Sequence, residues 1–190
     1  MKIVCGLGNP GRDHSGHRHN IGFMVLDELA SRLKGSFDSE KFDARLATVS
    51  VGGEKVLLLQ PQTFMNRSGT SLGGAARFYK VAPADVLVVH DELDLPFGKV
   101  QLKLGGGTGG HNGLNSMAEH WGEADYARLR MGIGKPQGPN AKERVVGHVL
   151  GNFSAEEGRE LKALIQRGAD GCELWLVHGM QTAMNRFNRK

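Results

Sequence analysis

Only two of the 190 residues are cysteine, Cys5 and Cys172. That is too few for a disulfide framework or a four-cysteine zinc site. No apolar run approaches the ~18 residues of a membrane span; none is longer than the one at residues 86–89. The opening MKIVCGLGNPG turns too soon to be a secretory core and reads as a strand. With no export signal and no membrane segment, the expected compartment is the cytoplasm. No repeat, low-complexity tract or linker divides the chain, so residues 1–190 are expected to form one domain. Several chemical signatures are missing too. There is no G-x-S-x-G elbow, and Cys5 sits in an expected buried strand, which argues against a serine or cysteine nucleophile. There is no H-E-x-x-H, and the densest glycine tract lacks the Lys-Ser/Thr ending of a P-loop.

What is abundant is glycine, 28 residues, about twice the ~7% average. Lys and Arg exceed Asp and Glu by 24 to 20, a formal charge of +4, which mildly favours a polyanionic partner. By mass scaling the folded chain should expose ~8,900 Å² and bury ~70% of its unfolded surface.

Strand patterns at residues 2–6, 85–90, 99–104 and 126–134 alternate with helix patterns at 20–33, 68–79 and 114–120. Residues 44–51 and 55–60 flank Gly52-Gly53 as a hairpin. Asn20 is a candidate N-cap. Ser154 with Glu157 reads as a capping box opening a helix to about residue 167, and residues 172–188 read as mostly helical. The expectation is an α/β fold: a single three-layer α/β/α domain with a twisted mixed β-sheet. The unusual loops follow strands, where sites in open α/β sheets gather.

Four stretches carry candidate chemistry. His14-x-x-His17-x-His19-Asn20 is histidine-dense. A metal would need further ligands from His90, Asp91 or His111, and an acid–base role for His19 is preferred. Asp91, in the run His90-Asp91-Glu92-Leu93-Asp94, either orients that histidine or belongs to an acidic surface turn. The tract from Gly105 to Asn112 either cradles a substrate or is a mobile lid. Phe64, Met65 and Asn66 either pack under the sheet, with Ser68 capping a helix, or meet an RNA end or peptide.

Taken together, these segments resemble the bacterial-type peptidyl-tRNA hydrolases. The matching pieces are GLGNPG at 6–11, RHN-x-G at 18–22, TFMN-x-SG at 63–69, HDELDLP-x-GK at 90–99, GGG-x-GGHNG at 105–113 and MNRF at 184–187. Their order and spacing cover nearly the whole chain. The resemblance implies a monomeric α/β/α enzyme, without metal or cofactor and without membrane attachment. Such an enzyme cleaves the ester between peptide and tRNA and recycles tRNA dropped from ribosomes. It implies His19 as the base and Asp91 as the carboxylate stabilising it. It implies Asn9 as the residue discriminating N-blocked from free aminoacyl-tRNA. Phe64, Met65, Asn66 and Asn112 would contact substrate and the tRNA 3′ end, and Lys103 and Arg130 a terminal phosphate. Three positions depart from the family pattern: His14 stands where Tyr is usual, His17 where Thr is usual, and Gln101 where a basic residue is frequent. His14 is therefore a candidate contact in place of that Tyr. Asn112, Asn66 or a glycine-loop N–H is the candidate oxyanion donor. The rival expectations are a non-catalytic tRNA-binding module and a metal-dependent nuclease.

Overall fold

A computed structural model describes residues 1–189. Seven strands form one mixed sheet in the order β2-β3-β4-β1-β5-β7-β6. They are β1 (Lys2–Gly6), β2 (Ser39–Lys41), β3 (Ala44–Val51), β4 (Glu54–Pro61), β5 (Val86–Glu92), β6 (Val100–Leu104) and β7 (Ala127–Gly132). The centre is parallel, with β1 between β4 and β5, and β7 beyond β5. Antiparallel pairs close both sides: β2–β3–β4 on one and β6–β7 on the other. The central strands are buried on both faces, hence the unbroken apolar runs Val86–Val89 and Leu57–Leu59.

Among the described residues there are six α-helices: α1 (Ile21–Arg32), α2 (Ser68–Tyr79), α3 (Asn112–Ser116), α4 (Val145–Val149), α5 (Ala155–His178) and α6 (Met180–Phe187). One core lies under α1, α5 and α6 and includes Val4, Leu26, Leu129, Cys172, Trp175 and Phe187. The other lies under α2 and α3 and includes Cys5, Leu59, Leu72, Val88, Leu114 and Met117. These are the two interfaces of an α/β/α sandwich. The accessible surface is 9269 Å², close to the mass-scaling value.

The structure revises several expected elements. The capping box forms, with Ser154 Oγ accepting from Glu157 N and Glu157 Oε1 accepting from Ser154 N. The helix it opens runs on to His178 rather than stopping near residue 167. Gly168, which reads as an interruption, serves close packing: a Cβ there would lie 2.9 Å from Met131 Cε and Val25 Cγ2. Ser68 does not cap α2; it is the first helical residue, and its hydroxyl donates to Met65 O. Asn20 stands at the N-terminus of α1, but its side chain bonds elsewhere, as described below. The 114–120 helix starts earlier, at Asn112, and widens into a π turn over Met117–Trp121.

The C-terminal MNRF segment also has a structural consequence. Just beyond it, Asn188 Oδ1 accepts from Leu102 N at 2.9 Å and Asn188 Nδ2 donates to Leu102 O at 2.7 Å. A side-chain amide thus pairs with edge strand β6 as a neighbouring strand would. Asn188→Ala should lower stability by about 1–3 kcal/mol, because both Leu102 groups lose their partner; urea denaturation of the variant measures it.

Candidate active site

The carboxyl ends of β1 and β5 lie side by side, with Gly6 opposite Val89. Beyond them come Asn9 on one chain and His90-Asp91 on the other. The first turn of α1 packs directly on these ends. A Cβ on Gly22 would fall 2.5 Å from both Leu7 N and Val89 O, so only glycine permits the approach. That approach brings the 3-10 turn Arg18–Asn20 over β5 and sets His19 beside Asp91. Arg18 secures the turn from outside through Glu157, at 2.8 Å, and His148 O, at 3.0 Å.

His19 Nδ1 lies 2.7 Å from Asp91 Oδ2, with His19 6% and Asp91 2% exposed. The other carboxylate oxygen, Oδ1, lies 2.7 Å from His111 Nε2. The tautomers follow from the network. His111 occupies the N-cap of α3, and its Nδ1 accepts from Gly113 N at 3.0 Å and Leu114 N at 3.3 Å. An accepting Nδ1 leaves the proton on Nε2, which donates to Asp91. His19 gives its Nδ1–H to the same carboxylate, so its Nε2 carries the lone pair. That atom has no hydrogen-bond partner among the described residues and is not sealed in the interior. Burial pushes the Asp91 carboxyl up, but the two histidines and their hydrogen bonds outweigh it and hold the group well below the usual carboxylate range. Asp91 is therefore a buried anion at neutral pH, and the acidic-surface-turn reading fails.

His19, Asp91 and His111 present ligand atoms within 4.8 Å of one another. The donor set suits hydrogen bonding better than a cation. His111 Nε2 carries the proton that the α3 N-terminus dictates and has no lone pair to offer a metal.

The His19 ring opens onto a cavity of about 300 Å³ that Asp91, Gly109, His111, Asn112 and Val146 also line. Asn9, three residues beyond β1, is fixed from three sides. Its Oδ1 accepts from Met65 N at 2.7 Å, while its backbone N and O bond the Asn20 side chain, each at 2.9 Å. With Oδ1 engaged, Asn9 Nδ2 is the free end of the amide. Met65 is buried and its backbone supplies that contact, whereas Phe64, 60% exposed, and Asn66 face solvent. His14 and His17 meet next to Phe64: their Nδ1 atoms are 3.3 Å apart, and His14 stacks edge-on to Phe64 at 6.3 Å.

Lys103 and Arg130 lie elsewhere, along a separate crevice of about 180 Å³ behind the glycine tract, together with His90, Arg128 and Thr108. Lys103 is exposed. Arg130 is partly neutralised, for its Nε donates to Glu92 Oε1 at 2.9 Å and its Nη1 to Gln101. The buried His90 keeps Nδ1 on Asp91 O and leaves Nε2 unpaired; burial pushes its imidazole down to about 4, so it stays neutral.

The family model for peptidyl-tRNA hydrolase matches residues 3–190. The chain belongs to the peptidyl-tRNA hydrolase family. A member from Rhizobium leguminosarum bv. trifolii is 49% identical over 98% of this chain and 75% of its own length. One from Dehalococcoides mccartyi is 44% identical over 99% of this chain and its whole length. The crystal structure of peptidyl-tRNA hydrolase from Acinetobacter baumannii superposes with a TM-score of 0.91 at 38% identity, covering 100% of this chain and 95% of that one. Within this family frame the expected residues divide into two groups. His19, Asp91 and Asn112 line the 300 Å³ cavity; Asn9 and Met65 are tied to each other and, through Asn20, to the turn that carries His19; Phe64 and Asn66 are exposed, with His14 against Phe64. Lys103 and Arg130 stand apart behind the glycine tract. Two residues escaped the sequence reading. His111 figured as a possible metal ligand and as part of the glycine-tract motif, and no preference for histidine at a helix N-cap marked its capping role. Arg128 looked like an ordinary strand residue.

Proposed function

We propose that the protein hydrolyses the ester of peptidyl-tRNA, with water activated by His19. The observation carrying this reading is the buried Asp91 that fixes His19 with its Nε2 lone pair free at the cavity. His19 Nε2 takes a proton from water as the oxygen attacks the ester carbonyl. Asp91 stabilises the resulting imidazolium and stays ionised itself. A base of this kind contributes ~10²–10⁴-fold. Positioning and an oxyanion donor supply the remainder; Asn112, Asn66 and the glycine-tract N–H groups are the candidates. The chemistry ends in free tRNA and peptide, and the cellular role is recycling of tRNA by a cytoplasmic, monomeric, single-domain protein.

Asn9 Nδ2 gives a physical route to substrate choice. It can donate to the neutral amide carbonyl of a blocked substrate. A free aminoacyl end would instead bring an ammonium against that donor, desolvated and unpaired. The deciding experiment is incubation with N-acetyl-aminoacyl-tRNA with and without EDTA. Ester release insensitive to chelator is expected. Binding without release would point to a tRNA-binding module, and chelator-sensitive RNA breakage to a nuclease.

The separate crevice is the candidate phosphate contact. Lys103→Ala should lower the salt slope of tRNA binding by about one, while Arg130→Ala should lower it by less, because Glu92 already serves as its counterion. Equal slopes for wild type and Lys103→Ala would remove Lys103 from the footprint.

His14 and His17 act as a pair. One Nδ1–H faces one lone pair, so a proton taken up by the accepting ring at its Nδ1 would set two N–H groups against each other and open the contact. Burial first, then His14 and His19, disfavour protonation of His17, and Asp13 opposes them. Opening would release a cationic imidazole beside Phe64, the expected contact of the tRNA end. In a His19→Ala background, tRNA affinity is expected to rise modestly from about pH 8 to about pH 5.5, and His14→Tyr to flatten that rise.

A further inference from the structure

The glycine tract at residues 105–113 forms the wall between the two cavities and carries His111 and Asn112 into the first of them. Glycines bring no side chains to hold such a wall in place. The anchor comes from β7. Arg128, only 3% exposed, donates from Nη1 to Gly107 O at 2.6 Å and from Nη2 to Gly106 O at 2.8 Å and Ala124 O at 3.0 Å. Its guanidinium lies 4.5 Å from the centre of the Tyr126 ring.

Three features of this contact are unusual for an arginine that serves packing alone. Among the described residues no carboxylate pairs with it, so a buried cation is compensated only by three carbonyls and an aromatic face. Its Nε is buried without a partner, an unmet donor tolerated while the outer nitrogens reach the loop. One of the carbonyls it holds is that of Gly106, at φ +110° and next to Gly105 at φ +65°, a left-handed bend whose only other backbone tie at this end, among the described residues, is Gly105 N to Tyr126 O. Only a planar fork spans Gly106 and Gly107 together; an ammonium at one point does not.

We propose that Arg128 is a positioning residue for ester hydrolysis: it fixes the base of the glycine tract so that His111 meets Asp91 and Asn112 faces the substrate. From Gly107 only Thr108, Gly109 and Gly110 intervene before His111, whose backbone N returns to Thr108 O at 3.0 Å. A loop whose base drifts carries that short turn with it, and displacements near 1 Å at reacting groups cost up to ~10²-fold in rate. The proposal rests on the His19–Asp91 reading, and its test is built to fail separately from it.

The test uses Arg128→Lys, which keeps the charge and loses the fork, and Arg128→Met, which loses both. Single-turnover release from N-acetyl-aminoacyl-tRNA should fall ~10–10²-fold in both variants, with tRNA affinity held in Arg128→Lys. Combining Arg128→Lys with His111→Gln should cost no more than the slower single change, since both act by withdrawing His111. Hydrogen exchange should quicken at the amides of residues 106–113 and stay unchanged in β1, β5 and β7. Multiplying losses in the double variant, or exchange rising uniformly across the sheet, would overturn the proposal in favour of a purely structural arginine. Exchange needs no turnover, so it reports on the loop even if wild-type protein releases no peptide, the result that would sink the His19 reading instead.

Discussion

His19→Ala should lower kcat on an N-blocked aminoacyl-tRNA by ~10²–10⁴-fold and leave tRNA affinity nearly unchanged. The size follows from what general bases contribute. The sparing of affinity follows from placement: His19 is almost wholly buried against Asp91, whereas the cationic crevice with Lys103 lies behind the glycine tract. The substitution also leaves Asp91 Oδ2 without its partner, which lowers stability. His19→Asn is the companion variant, since its amide can still donate to Asp91 while offering no base. Both variants should be equally slow at temperatures where both are folded. Full turnover by His19→Ala would remove the base from His19, and loss of tRNA binding in parallel with rate would make His19 a binding residue.

How far the fold could be read depended on how local the signals were. The Ser154–Glu157 capping box, the Gly52-Gly53 hairpin and the apolar run of β5 each depend on neighbouring residues, and each appears in the structure. The length of α5 depends on distant ones. Gly168 and Gly171 look like helix breakers until Met131 and Phe187 are found packed against them. β2 left no trace, because Ser39–Lys41 is three exposed polar residues with no alternation. The site divides in the same way. The motif set named His19 and Asp91, which stand 72 positions apart and meet only because Gly22 lets α1 sit on the strand ends. The part played by His111 was hidden. It depends on a ring nitrogen accepting from the α3 backbone, and no spacing rule registers that. Arg130 carried a charge in the sequence that Glu92 largely answers in the fold.

Asp91→Asn should be at least as damaging as His19→Ala, for a reason specific to this arrangement. The carboxylate receives two N–H donors, one on each oxygen. An asparagine offers a single oxygen and an NH₂, so one histidine must face a donor. His111 cannot yield, because Gly113 N and Leu114 N occupy its Nδ1 and keep the proton on Nε2. The amide oxygen therefore turns to His111 and the NH₂ turns to His19. His19 must then accept at Nδ1 and carry its proton on Nε2, the atom that should take one from water. The base is lost by tautomer while its position is kept, and a loss of ~10⁴-fold is the magnitude such a switch produces in the serine-protease triad. The arrangement further predicts a rescue. Adding His111→Ala to Asp91→Asn frees the amide to rotate and offer its oxygen to His19, so the double variant should recover part of the rate lost by Asp91→Asn. His111→Ala alone should be slower than wild type, since Asp91 then loses half of its support. Single-turnover rates of the four proteins at one pH complete the cycle. A double variant slower than Asp91→Asn would mean that the orientation of the amide is not what disables His19, and Asp91 would then act through its charge alone.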